Sequence, residues 1–143
     1  MLKLTAPHKA AIAQHGEQDY PHECCGLLIG RFEPDGTKVV LETYPISNAR
    51  EETAKRNRFL IRPEELMRGE RYARGRKLDV VGVYHSHPDH PAQPSQYDLD
   101  HALPVWSYII VAVAHGRAGE MNSFEMAADR SRFRAEQKID ISD

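Results

Sequence analysis

Residues Val80 to Pro88 confine the fold more tightly than any other stretch of this 143-residue chain. Val80-Val81-Gly82-Val83-Tyr84 is an apolar run that reads as a buried strand, and it delivers His85 and His87 two residues apart before Pro88. Side chains alternate across a strand, so His85 and His87 share one face and Ser86 takes the other. Proline cannot donate to a sheet ladder, so Pro88 marks the strand's end. The two imidazoles therefore stand at the C-terminal lip of a strand, where the crevices of α/β sheets tend to lie.

Two imidazoles on one strand face can meet one ion. Asp98 follows His87 by eleven residues, and the loop Asp89 to Pro94 can carry the chain back toward them. Two nitrogens, one carboxylate oxygen and an open fourth position form a catalytic zinc shell. Such an ion activates water and polarises carbonyls, so hydrolysis is its natural use. Ser95-Gln96-Tyr97-Asp98 also reads as a capping box, with Ser95 as N-cap and an acid three residues on. That reading accounts for Ser95 and Asp98 without a metal, and the two readings are compatible.

The rest of the chain places this strand in a layered fold. Residues 6 to about 18 predict an amphipathic helix with Ala10, Ile12 and Ala13 inward, ended by Tyr20-Pro21. Cys24 to Phe32 and Thr37 to Tyr44 read as strands joined by the turn Glu33-Pro34-Asp35-Gly36, hence a hairpin. A polar loop runs from Pro45 to Arg56, and Asn57 to Ile61 reads as a short strand. Pro63 suits a helix's first turn, with Glu64 and Glu65 at its positive end, and that helix runs to about Arg76. Leu78 to His87 is the histidine strand, and Gln96 to about Leu103 a short helix. Ser107 to Ala114 is a buried strand, His115 to Gly119 a turn, and Met121 to Met126 the return. Residues 129–143 are too polar to place. This order predicts an α/β fold whose mixed β-sheet carries helices on both faces.

Composition narrows the function classes. A net charge of −2 does not point to nucleic acid or a membrane surface. No run approaches a membrane helix in length, and the N-terminus has no apolar signal core, so one cytoplasmic domain over residues 1–143 is expected. Cys24 and Cys25 are adjacent, so they face opposite ways on a strand and are expected as buried free thiols. They do not form the C-x-x-C of a deaminase zinc site. Between Arg50 and Lys77, ten Lys/Arg face five Glu, leaving that stretch at +5 and the remainder at −7. It is either a solvated helix surface or a docking face for an acidic protein.

His85-Ser86-His87-Pro88-Asp89-His90 spells the H-x-H-x-D-H of metallo-β-lactamases, but too little chain follows His90 for that larger fold. With Pro94-Ser95-x-x-Asp98 added, the pattern instead resembles the JAMM/MPN+ metalloprotease family, whose motif is a distant Glu with H-x-H-x10-D. Pro21-His22-Glu23-Cys24-Cys25-Gly26-Leu27-Leu28-Ile29-Gly30 is similar to that family's Glu-bearing segment, and the resemblance runs from about residue 5 to about 127. Phe59-Leu60-Ile61 and Ser107 to Val111 are similar to its other core strands. The resemblance implies a three-layered α/β fold related to cytidine deaminases, and one Zn2+ held by His85, His87 and Asp98. It implies Glu23 as general base and acid, and Ser95 as a donor to the oxyanion. The short H-S-H-P form is similar to the prokaryotic branch, whose members cleave after the C-terminal Gly-Gly of ubiquitin-like or sulfur-carrier proteins. A catalytically silent binding module and a small-molecule amide hydrolase are the alternatives.

Overall fold

In a computed structural model of the protein, the described residues are 1–48 and 61–126, with the backbone of strands at 133–135 and 139–142. The elements in order are β1 (Leu2–Thr5), α1 (Ala6–Asp19), β2 (Cys25–Phe32), β3 (Lys38–Ile46), α2 (Pro63–Gly75), β4 (Asp79–Pro88), α3 (Gln96–His101), β5 (Ser107–Ala114), β6 (Arg117–Met126), β7 (Phe133–Ala135) and β8 (Ile139–Ser142). The strands form one sheet in the order β7-β6-β5-β4-β2-β3-β1-β8. It is mixed: β4 runs parallel to β5, β1 is parallel to β3 and to β8, and the remaining pairs are antiparallel.

Each face of the sheet buries its own apolar set. Leu2, Leu4, Ile12 of α1, Leu28, Val81, Tyr84, Ile109 and Val111 pack on one side. Leu27, Ile29, Ala73 of α2, Val83 and Tyr108 pack on the other, together with Leu99 of α3. Three layers result, with α1 on one face and α2 and α3 on the other. Burying a side chain such as Ile12 completely is worth about 1.5–3 kcal/mol, and α1 is held by that residue and by Gly16. The inward face of α1 therefore differs from expectation: Ala10 is exposed, because the helix meets the sheet along the i, i+4 line of Ile12 and Gly16.

Other departures are local. Leu2–Thr5 forms a strand that its four residues do not announce, with Leu2 and Leu4 buried alternately. The β5–β6 turn is only His115-Gly116, both with positive φ, so β6 starts at Arg117. Two residues of left-handed backbone match the twist of a tight hairpin. The α3 helix stops at His101 rather than Leu103. The expected strand at Asn57 to Ile61 lies, but for Ile61, outside the described residues, and Ile61 is not in a strand. Residues 50–60 of the basic stretch 50–77 are also outside them. Among the described residues no helix is long and apolar enough to cross a membrane.

Gly26 is required by packing. A Cβ there would fall 2.3 Å from Cε2 of Tyr84, whose ring fills the space beneath α1. Cys24 and Cys25 do face opposite sides, one in each core, and both are free and buried. Burial pushes the Cys24 thiol from 9.0 up to about 12, and Cys25 higher still. A raised folded-state value means that stability is intact below the unfolded value and drains as pH climbs toward the folded one, since only the unfolded chain releases the proton. The urea midpoint is therefore expected to hold to about pH 9 and fall above it, and a Cys24→Ala/Cys25→Ala variant should lose much of that slope.

Candidate metal centre

The exit of β4 puts His85 and His87 on the α2 face, as the period of two requires, while Ser86 points toward α1 against Gly16. Both imidazoles are buried, as is Asp98. The loop after Pro88 returns the chain so that α3 opens beside the histidines. There Ser95 Oγ accepts from the Asp98 amide at 3.1 Å, and Asp98 Oδ2 accepts from the Ser95 amide at 2.8 Å, a complete capping box. The cap does not consume Asp98. Its Oδ1 lies 3.2 Å from His85 Nε2, its Oδ2 lies 3.2 Å from His87 Nε2, and the two Nε2 atoms are 3.2 Å apart. Ser95 Oγ serves the cap only as an acceptor, which leaves its proton to donate.

The donor set fits a divalent cation. Bonds of about 2.0–2.1 Å in a tetrahedral shell set neighbouring ligand atoms about 3.3 Å apart. The two Nε2 atoms stand at close to that spacing, each with one oxygen of Asp98 at the same distance, and one ligand atom from each of the three residues lies within 4.8 Å of the others. The tautomer agrees. His87 Nδ1 is 2.9 Å from the Pro91 carbonyl, which can only accept, so Nδ1 carries the hydrogen of the neutral ring. Its Nε2 then turns a bare lone pair toward a carboxylate oxygen and a second imidazole nitrogen. Two acceptors facing each other in a buried place call for a cation between them. Orientation of a ligating His by a carbonyl at its other nitrogen is the usual supporting contact.

Protonation states match. Burial pushes the His85 imidazole down, against the pull of Asp98, and keeps it neutral. Burial alone would raise the Asp98 carboxyl, but hydrogen bonding with His85 and from the Ser95 amide holds it well below the usual carboxylate range.

Glu23 arrives through the sheet. In the β2–β4 ladder Cys25 lies opposite His85. Continuing that antiparallel register by two residues brings Glu23 level with His87 and, by parity, onto the same face. Ser86 fixes the approach: its amide donates to the Cys24 carbonyl at 3.2 Å, and its Oγ accepts from the Cys24 amide at 2.8 Å. Asn48 Nδ2 donates to the Glu23 carbonyl at 3.0 Å. Glu23 is 3% exposed, not the ordinary surface acid its position before a strand would suggest. Together with His87, His90, Pro94, Ser95 and Tyr97 it lines a cleft of ≈ 660 Å³. Three of the five residues singled out in the sequence, Glu23, His87 and Ser95, thus line one cleft, and His85 and Asp98 lie directly against His87. A more apolar cavity of ≈ 200 Å³, with Leu27, Val83 and Trp106 in its wall, shares Tyr97 but none of these five groups. The Pro91 carbonyl, Ser86 Oγ and Asn48 carry no local signal of their roles, because each acts on a residue brought to it by the fold.

Residues 5–127 match the family model for prokaryotic homologs of the JAB domain. Over 136 residues the chain is 30% identical to a desampylase of Haloferax volcanii, a match covering 92% of this chain and 91% of the relative. Among solved structures, a protein of Desulfitobacterium hafniense superposes with a TM-score of 0.86 at 28% identity, covering 100% of this chain and 94% of that one. A JAB1/MPN domain protein from Archaeoglobus fulgidus shares the fold, with a TM-score of 0.59 at 16% identity over 100% of this chain and 98% of that one.

Proposed function

We propose that this chain, which belongs to the family of prokaryotic homologs of the JAB domain, is a zinc-dependent isopeptidase or peptidase that hydrolyses the bond after the C-terminal Gly-Gly of a ubiquitin-like or sulfur-carrier protein. The observation that carries the reading is the convergence of His85, His87 and Asp98 at 3.2 Å spacings with a bare lone pair turned inward. The desampylase relative supports an isopeptide substrate. These three residues would hold one zinc ion, which supplies Lewis-acid polarisation of a carbonyl and a water nucleophile at neutral pH.

The chain's own residues do the remaining work. Glu23 takes a proton from the attacking water and returns it to the leaving amine. Burial beside an apolar strand limits its hydration, so transfer needs little solvent rearrangement. Ser95 donates its hydroxyl proton to the oxyanion of the tetrahedral intermediate, a contact whose loss commonly costs about 3 kcal/mol. Its Oγ is held by the Asp98 amide, which aims the donor before substrate arrives. The substrate tail lies extended along the cleft, where only glycines pass next to the reacting carbon. The docking surface is the basic stretch: within its described part, Arg62, Arg68, Arg71, Arg74, Arg76 and Lys77 outnumber Glu64, Glu65 and Glu70. Charge of that sign steers an acidic carrier.

Intact-mass analysis tests the reading. Incubated with zinc and a carrier protein extended beyond its Gly-Gly by an amino acid or an isopeptide-linked lysine, the protein should yield the carrier ending in Gly-Gly plus the released amine. A zinc-loaded protein that leaves every conjugate intact would instead be a binding module. Faster hydrolysis of a free dipeptide than of any conjugate would make it a small-molecule amidase.

A further inference from the structure

Asp89 is the first residue after β4, and it is exposed with φ of 56°. Left-handed backbone is uncommon outside glycine but is tolerated by Asp and Asn. Its polar groups reach in several directions. The amide donates to the Val113 carbonyl at 2.7 Å. Oδ1 accepts from the His115 amide at 2.8 Å, in the β5–β6 turn. Oδ2 accepts from the Tyr20 hydroxyl at 2.6 Å, at the end of α1. One carboxylate thus joins three segments, and a phenol donating to an ionised carboxylate at that length makes a strong, charge-assisted bond.

Tyr20 is the hinge of interest because Glu23 follows it closely. Between them Pro21 restricts the backbone, and the His22 amide donates to the Asp19 carbonyl at 2.8 Å, closing the turn. Downstream, Cys24 is clamped to Ser86. The segment carrying Glu23 is therefore held at both ends by residues of one strand exit: Ser86, between the two histidines, and Asp89, two residues past the second. Its position is referred to the same piece of backbone that sets the histidines. A shift of the turn at Tyr20 would move the carboxylate of Glu23 relative to the ligand atoms without touching either.

We infer that Asp89, acting through Tyr20, is a positioning residue that sets Glu23 against the histidine pair. The inference rests on the assignment of Glu23 as proton carrier. Misplacing a catalytic group by about 1 Å can cost about 10²-fold, and a partial release of one end should cost less. Tyr20→Phe removes the hydroxyl and leaves the ring packed. Asp89→Ala removes both acceptors. Each is expected to lower kcat about tenfold, with KM within about twofold and zinc stoichiometry unchanged. The double variant should be no slower than the slower single one, because both break one link.

Amide hydrogen exchange at His22, Glu23 and Cys24 supplies a readout that needs no substrate. It should speed up in Tyr20→Phe and in Asp89→Ala alike, whether or not any conjugate is cleaved. Faster exchange in a protein that cleaves nothing would uphold the link and sink only the enzymatic reading. Unchanged exchange in a folded Tyr20→Phe variant would overturn the inference, as would wild-type kcat with faster exchange. Effects on kcat that multiply in the double variant would make the two residues independent and overturn it too.

Discussion

Replacing Glu23 by glutamine is expected to leave zinc binding at one ion per chain while lowering kcat by about 10²–10⁴-fold, the range typical for loss of a proton-transferring group. The substitution is nearly isosteric. It keeps the backbone carbonyl that accepts from Asn48 and the neighbouring Cys24 clamp on Ser86, so the segment's position should survive. What disappears is the capacity to accept a proton and give it back. Because that loss is felt in the transition state and not in substrate binding, kcat and kcat/KM should fall together with KM nearly constant. Metal analysis of the purified variant alongside steady-state kinetics checks both halves. Turnover within a few-fold of the parent would remove Glu23 from the mechanism, and the proton would have to travel by another group in the cleft, such as His90.

Asp98→Ala should abolish hydrolysis and reduce zinc occupancy far below one per chain. The side chain supplies the only negative charge among the three converging groups, so its removal leaves two neutral imidazoles to hold a dication. A chelator should act on the parent protein in the same way, with activity returning on addition of zinc. Thermal denaturation offers a second readout. Saturating zinc should raise the parent's stability by about 2.7 kcal/mol at a hundredfold excess over Kd, and the variant should show almost none of that gain. Asp98 also closes the capping box, so part of the loss could be an opened α3. Asp98→Asn separates the two effects, since its amide oxygen can still accept from the Ser95 amide while the charge is gone. Full zinc occupancy in Asp98→Ala would return Ser95 and Asp98 to a purely structural cap and would falsify the metal centre as drawn.

The elements closest to the chemistry were the easiest to read in advance. β4, β5, α2 and the start of α3 carry strong local codes: apolar runs, a proline at a helix entrance, a Ser-x-x-Asp cap. The strands that carry no such code are short or polar. β1 has four residues, and its partner β8 is recognisable only once the two lie side by side in register, Leu2 against Ile139. The inward face of α1 excludes Ala10, which the sequence does not signal, because small residues mark no face strongly and what they meet depends on where the sheet lies.

The same division runs through the site. That His85 and His87 aim at one point, and that Asp98 caps a helix start, follow from a period of two and a spacing of three, which neighbours along the chain enforce without help. That Glu23 sits buried beside them, that Pro91 selects the tautomer of His87, and that Asp89 reaches Tyr20 do not follow from any local pattern. Each is a contact between segments distant in the chain, and its existence depends on the register of β2 against β4 and on where one loop comes back. Register is a property of the assembled sheet, settled by packing both faces at once, and no short window of residues contains it.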